Sequence, residues 1–112
     1  MANIGSIPTG VPTVIDTAVS APVAGNSFSF QADPGGNDFN VVFQATGTLT
    51  TLVAALQASL DGGTTWTDYV PSANFWPTPA ASCVRVAMVA GALYRINYTT
   101  ASGSINARCS SN

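Results

Sequence analysis

Three residue types are missing from this 112-residue chain, which contains no lysine, no glutamate and no histidine. Only 7% of the residues are charged, all of them arginine or aspartate, against about 25% in a typical soluble domain. Without histidine, the chain has no Ser-His or Cys-His catalytic pair and no standard zinc site. Three dispersed arginines argue against binding to a phosphate backbone. The composition therefore predicts one non-enzymatic domain without a cofactor or metal, and without nucleic acid as a partner.

Long apolar segments are also missing. No segment approaches the ~18 apolar residues that a membrane-spanning helix needs. The first residues have neither the basic region nor the apolar region of a signal peptide. We therefore expect no membrane association, and a chain that is made and kept in a cytoplasm at least until assembly. A reducing compartment favours free thiols at Cys83 and Cys109, although both fall near strand ends, where a disulfide is the alternative.

The few charges are combined with a high apolar content. Hydrophobic residues make up 46% of the chain, and its mean hydropathy is +0.29. A surface with so few charges is expected to be covered in part by partners. The alternative is a monomer whose surface is rich in serine, threonine and asparagine.

The N-terminal segment, residues 1–26, contains three prolines and three glycines among small and β-branched residues. This composition favours extended structure, with one short strand predicted at residues 13–17. We expect an extended arm, separate from a domain of residues 27–112, that lies either on that domain or on a neighbouring subunit. The arm residues expected to make contacts with a partner are Ile7, Val11, Val14 and Ile15. A chain without residues 1–20 is then expected to fold but to bind its partner weakly or not at all.

The rest of the chain consists of short alternating segments separated by turns rich in glycine and proline. Strands are predicted at residues 27–32, 39–46, 50–60, 66–70, 82–89, 93–98 and 104–109. The leucines in residues 50–60 also fit helical spacing, but the Asp-Gly turn that follows favours a strand. Short strands at regular spacing are typical of an antiparallel, jelly-roll-like β-sandwich, so we predict an all-β fold of that class.

The most distinctive local pattern joins two of these strands and consists of Ser59, Asp61, Gly63, Thr65 and Trp66. Asp-Gly-Gly predicts a hairpin, because glycine adopts positive φ and the Asp side chain accepts backbone N–H bonds. The spacing resembles the Asp-box of sialidase-type propellers. The resemblance implies that the polar side chains fix the turn and that the Trp packs beneath it. A single copy is not the repeat of a propeller, and the role implied is structural.

Two loops offer weaker candidate sites. A calcium ion could be bound by oxygens of Asp33, Asn37 and Asp38. Turns use the same residue types for local hydrogen bonds, which is the favoured interpretation. A platform for stacking sugar rings could use Tyr69, Phe75 and Trp76. The favoured alternative is that these aromatic rings close one end of the core.

Alternation also assigns the outward faces of the strands. Arg85, Arg95 and Arg108 are expected on outer faces. The outward residues of segments 53–57 and 83–87 are too apolar for full exposure. This predicts self-association, most simply as a homotrimer.

Between residues 41 and 108 the pattern resembles the small β-sandwich structural proteins of tailed bacteriophages. The resemblance is carried by LQASLDGGTTWTD at residues 56–68, LYRINY at residues 93–98 and SGSINAR at residues 102–108. In such proteins a strand leads through an Asp-Gly turn to a Trp, and a Tyr-Arg strand precedes a Ser-Gly hairpin. No residue of a known functional site carries over.

This resemblance implies a non-enzymatic virion structural protein. The expected member is a capsid decoration (cement) protein that binds the major capsid protein, stabilises the phage head and is located on the capsid surface after assembly in the host cytoplasm. The alternative is a carbohydrate- or receptor-binding module of a phage tail or fibre that uses Trp76 and its neighbours.

Overall fold

A computed structural model describes residues 3–8, 10–30, 39–78 and 82–111 of the chain. These ranges contain ten strands and no helix, and hence no helix that could cross a membrane. The strands are β1 (Asn3–Ile7), β2 (Thr13–Val19), β3 (Val23–Ala24), β4 (Ser27–Phe30), β5 (Phe39–Gly47), β6 (Val53–Ser59), β7 (Thr67–Val70), β8 (Cys83–Met88), β9 (Leu93–Thr100) and β10 (Ile105–Ser111).

Two sheets pack face to face. The larger sheet has the order β1-β4-β9-β6-β7, with β3 also pairing with β9, and the smaller sheet has the order β2-β10-β5-β8. Every pair is antiparallel except β1 with β4. Apart from β1 and the short β3, the strand order is that of a jelly roll, in which two four-stranded sheets are connected as Greek keys. The predicted antiparallel sandwich is confirmed.

The core lies between the sheets and follows from strand alternation. In the larger sheet β9 contributes Tyr94, Ile96 and Tyr98, all of them buried. The residues between them point outward, as the period of two in a strand requires. Across the gap, the ring of Phe28 on β4 lies 6.0 Å from the ring of Phe43 on β5. In strands such as β4, β5 and β9, the alternating sequence therefore places every second residue in a shared core rich in aromatic rings.

The segment that also fitted a helix is a strand. β6 starts at residue 53, later than the predicted start at residue 50, and pairs with β9 on one side and β7 on the other. Its alternate residues Ala54 and Leu56 are buried in the core between the sheets. The apolar residues of this segment fit the spacing of a helix and of a strand. Pairing with a strand on each side shows that the segment is a strand.

The separate N-terminal arm is not confirmed, because residues 3–7 and 13–19 are strands of the sandwich itself. β1 extends the larger sheet beside β4, and β2 extends the smaller sheet beside β10. Ile7 and Ile15 are only 2% and 1% exposed, so they are core residues and not contacts for a partner. The other two predicted contacts, Val11 and Val14, remain exposed.

The N-terminal segment joins the sandwich for a physical reason. An extended segment rich in β-branched residues can form its backbone hydrogen bonds with a sheet edge of its own chain. That edge is present at a high effective concentration, so no second chain is needed. Deletion of residues 1–20 would remove both strands and both buried isoleucines. Contrary to the expectation above, we expect such a chain to lose the sandwich as well as its partner.

Both cysteines are free thiols, as predicted. Cys83 is exposed on the edge strand β8, whereas Cys109 is buried on β10. Burial raises the pKa of the Cys109 thiol to about 12. Because the thiolate is the reactive species, Cys109 is an inert core residue at neutral pH.

Candidate functional site

The Asp-box-like turn between β6 and β7 is closed by its own side chains. The Ser59 hydroxyl donates to Asp61 Oδ1 at 2.7 Å and accepts the Gly63 N–H at 2.9 Å. Asp61 Oδ1 also accepts the Thr65 N–H at 2.8 Å. These hydrogen bonds stabilise the carboxylate and lower the pKa of Asp61 to about 2. The bond from the Thr65 N–H has the largest effect, followed by the bond from the Ser59 hydroxyl. These residues therefore occupy the structural positions that the sequence pattern assigned to them.

Trp66, the last residue of the pattern, is only partly buried and does not lie beneath the turn as a core residue. Its indole N–H donates to the Gly63 carbonyl at 3.0 Å, which fixes the ring at the end of the hairpin. The guanidinium carbon of Arg95 lies 4.3 Å from the centre of the indole ring. This distance corresponds to a cation–π contact.

A chain of hydrogen bonds fixes Arg95 in turn. Its Nε donates to Gln57 Oε1 at 2.8 Å, and Gln57 Nε2 donates to Asp68 Oδ1 at 3.1 Å. The register places Gln57 opposite Arg95 on β9 and opposite Asp68 on β7. All these side chains lie on the outer face of the larger sheet, so Arg95 is held in one position on a solvent-facing surface.

A groove of about 320 Å³ opens beside this cluster, and we call it the Trp66 groove. Its lining includes Asn3, Ser27, Gly63, Trp66, Leu93 and Arg95. A second depression of about 430 Å³ runs along the β6–β7 hairpin. Its lining includes exposed Leu60 and Tyr69 and the carboxylates of Asp61 and Asp68, but no cation among the described residues. The Trp66 groove is smaller, yet it combines a cation, an aromatic ring and neutral polar groups.

The predicted sugar platform around Trp76 is not present. Trp76 is 2% exposed, its indole N–H donates to the Phe43 carbonyl at 3.2 Å, and its ring centre lies 4.4 Å from that of buried Phe75. These two rings close the core, which was the favoured alternative. Tyr69 is exposed, but its hydroxyl is bonded to the Ala87 carbonyl.

The outer face of the smaller sheet has a different character, and we call it the arginine face. Arg108 on β10 lies opposite Val14 on β2 and Gln44 on β5, and Arg85 on β8 lies opposite Val42. Val14 and Val42 are 47% and 39% exposed.

Charge on the two outer faces is unequal. The carboxylates of the described residues all lie away from the arginine face: Asp16 is buried, Asp61 is in the turn, and Asp68 is on the larger sheet. Within these ranges the arginine face therefore carries two positive charges and no negative charge.

A buried carboxylate joins the two sheets. Asp16 on β2 accepts the Asn26 N–H at 2.8 Å and the Tyr98 hydroxyl proton at 2.8 Å. Burial raises the pKa of Asp16 although these bonds act in the opposite direction, and burial together with the nearby carboxylate raises the pKa of Tyr98. No arginine neutralises this carboxylate in the described part of the chain. Asp16 therefore has a structural role within the core.

The structure brings together residues that the sequence did not connect. Arg95 was expected on an outer face, but its contact with Trp66 depends on the β6–β9 register, which no local pattern gives. The loop residues Asp33, Asn37 and Asp38, considered for calcium, lie outside the described residues. Among those that are described, no cluster of three cysteine or acidic residues could hold a metal ion.

No family model, curated protein or solved structure matches this chain.

Proposed function

We propose that this protein is a non-enzymatic structural component of a phage particle. Its most specific form is a capsid decoration protein that binds the major capsid protein through the arginine face and stabilises the head. The observation that carries this proposal is the arginine face itself. It is a broad sheet surface with exposed valines and two arginines that have no carboxylate beside them among the described residues.

The chemistry of this face favours a partner that is apolar and acidic. Burying a fully exposed valine contributes about 1.5–3 kcal/mol. Val14 and Val42 are 47% and 39% exposed, so each would contribute a little under half of that on binding. Arginine is enriched in interfaces because its planar head pairs with carboxylates in two parallel hydrogen bonds. A matching partner surface would therefore place Asp or Glu side chains opposite Arg85 and Arg108.

The fold is compatible with this function without requiring it. Jelly rolls occur in viral capsid domains and also in lectins, and a fold alone does not define a function. The low charge of the chain and its resemblance to phage β-sandwich proteins add support for a particle protein. Copies of this chain are proposed to associate as a homotrimer, because a trimer would cover further apolar surface such as exposed Val53 on β6.

The alternative, a carbohydrate- or receptor-binding module of a tail or fibre, was based on Trp76 and its neighbours. That basis is lost, because Trp76 and Phe75 are buried. We therefore place the capsid role first.

Copy number distinguishes the two locations. Quantitative mass spectrometry of purified particles of the encoding phage should find this chain at a stoichiometry comparable to that of the coat protein. A few copies per particle would indicate a tail or fibre, and absence from particles would contradict the virion role. Light scattering of the purified protein tests the trimer separately, and a monomeric mass near 11.4 kDa would contradict it.

A further inference from the structure

We infer that the Trp66 groove is a binding site for a sugar that carries a single carboxylate, such as a uronic acid. The groove lies on the larger sheet, away from the arginine face, so this function is additional to capsid binding. It requires three components from the protein: a fixed cation for the carboxylate, neutral polar groups for hydroxyls, and an apolar surface for the sugar ring.

Arg95 supplies the cation. Its Nε donates to Gln57, and its guanidinium carbon lies 4.3 Å from the centre of the Trp66 ring. Its two terminal nitrogens have no partner in the described part of the chain. Two N–H groups of a guanidinium match the two oxygens of a carboxylate. Because Gln57 is itself fixed by Asp68, little side-chain entropy remains to be lost on binding.

The neutral polar groups lie on two neighbouring strands. Asn3 on β1 pairs with Ser27 on β4. Ser27 and Arg95 both adjoin the Phe28–Tyr94 pair, which puts their side chains on the same outer face. Asn3 Oδ1 accepts the Gly5 N–H at 2.8 Å, so the Asn3 amide nitrogen is the group that can donate to a ligand.

The apolar surface is supplied by Leu93 and the accessible part of Trp66, which both line the groove. Sites for small molecules combine such surfaces with a few fixed polar groups, in volumes of roughly 300–1,000 Å³. The volume of about 320 Å³ lies at the small end of that range and fits one or two sugar rings rather than a long polymer.

The surrounding charges disfavour a ligand with several negative charges. Asp61 and Asp68 lie near the same end of the larger sheet, so this outer face carries two carboxylates and one arginine among the described residues. A polyphosphate or nucleic acid would be repelled by these carboxylates, whereas a single carboxylate can be matched by Arg95. The neutral groups of the groove would be unused by a free inorganic anion.

The test is to titrate the full chain separately with glucuronate, glucose and inorganic phosphate. Binding is measured from the changes in the NMR chemical shifts of the backbone amides. Glucuronate should shift residues around the groove and bind at least about tenfold more tightly than glucose or phosphate. Arg95→Gln should weaken glucuronate binding about tenfold or more. Arg95→Lys should recover only part of the loss, because an ammonium group cannot form the paired hydrogen bonds.

Two further variants test whether binding depends specifically on the groove. Arg108→Gln removes the same charge from the opposite sheet, and it should bind glucuronate like the parent chain. Ser27→Ala removes one hydroxyl without disturbing Arg95, and it should weaken glucuronate several-fold. The inference is overturned if glucuronate fails to bind, if phosphate or glucose binds equally well, or if folded Arg95→Gln binds glucuronate as the parent does.

Discussion

The surroundings of Asp16 have two opposite effects on its charged carboxylate. Its two hydrogen bonds satisfy the carboxylate, while burial disfavours its charge and raises its pKa above the ordinary value of 3.8. The folded state therefore binds this proton more tightly than the unfolded state does. By linkage, the contribution of Asp16 favours folding most below the unfolded pKa and declines as the pH rises through the folded pKa.

This gives the first prediction, which concerns pH. In urea titrations, the free energy of unfolding should decrease as the pH rises from about 4 towards 7. Asp16→Asn should remove this decrease, because the amide does not titrate. Asp68→Asn, which changes a surface carboxylate bonded to Gln57, should keep the parent profile. A parent profile that is flat over this interval would contradict the role given to Asp16.

The two tryptophans provide the second prediction. Trp76 is buried, donates to the Phe43 carbonyl and has a left-handed φ of 53°, a conformation that only tight packing maintains in a bulky residue. Trp66 is partly exposed and contacts Arg95. We expect Trp76→Ala to cost about 3–5 kcal/mol of unfolding free energy, and Trp66→Ala clearly less. Equal losses in denaturant unfolding would show that Trp66 has the core role that the Asp-box resemblance implied.

At the scale of elements, the junction between β3 and β4 depends on the absence of a side chain at residue 25. The Gly25 N–H donates to the Ile96 carbonyl at 2.7 Å. A Cβ atom there would lie 2.5 Å from Asp16 Oδ2 and 2.8 Å from the Ile96 oxygen. Glycine at this position therefore lets the chain pass close to both Asp16 and the Ile96 carbonyl, and a larger residue would force one of them to move.

The third prediction follows from this contact. Gly25→Ala should destabilise the protein by about 1–3 kcal/mol, the usual cost of forcing extra atoms into a packed site. The double variant Asp16→Ala/Gly25→Ala should lose less unfolding free energy than the sum of the two single losses. The reason is that the clash between the new Cβ and the carboxylate is gone. Strictly additive losses in the cycle would mean that the two residues are not in contact.

The elements that the sequence predicted well are those specified locally. Alternation identified the strands from residue 27 onward, and the Asp-Gly-Gly turn favoured a strand over residues 50–60, where the structure has β6 at Val53–Ser59. The N-terminal strands were misassigned to an arm because their partners are remote: β2 pairs with β10, so that Val14 lies opposite Arg108. The Trp66 groove was missed for the same reason, since it depends on register between β1, β4, β6 and β9.

At the scale of the whole molecule, the sandwich separates its charges between two opposite surfaces. Arg85 and Arg108 lie on the smaller sheet, and Asp68 with Arg95 lies on the larger. The described residues extend over 40 × 28 × 22 Å, and the arginine face and the Trp66 groove lie on opposite sheets. If the arginine face binds a capsid as proposed, the Trp66 groove faces away from it. One small domain could then attach to a particle on one side and bind a ligand on the other.

We propose that the arginine face attaches the protein to capsids. The most direct measurement is cosedimentation of purified protein with phage particles assembled without it. We expect Arg85→Gln/Arg108→Gln to lower the bound fraction strongly. The control Asn97→Glu/Thr99→Glu makes the same change in net charge on the opposite sheet and should bind like the parent chain. Equal binding by the arginine variant and the parent, or a loss only in the control, would contradict the claim.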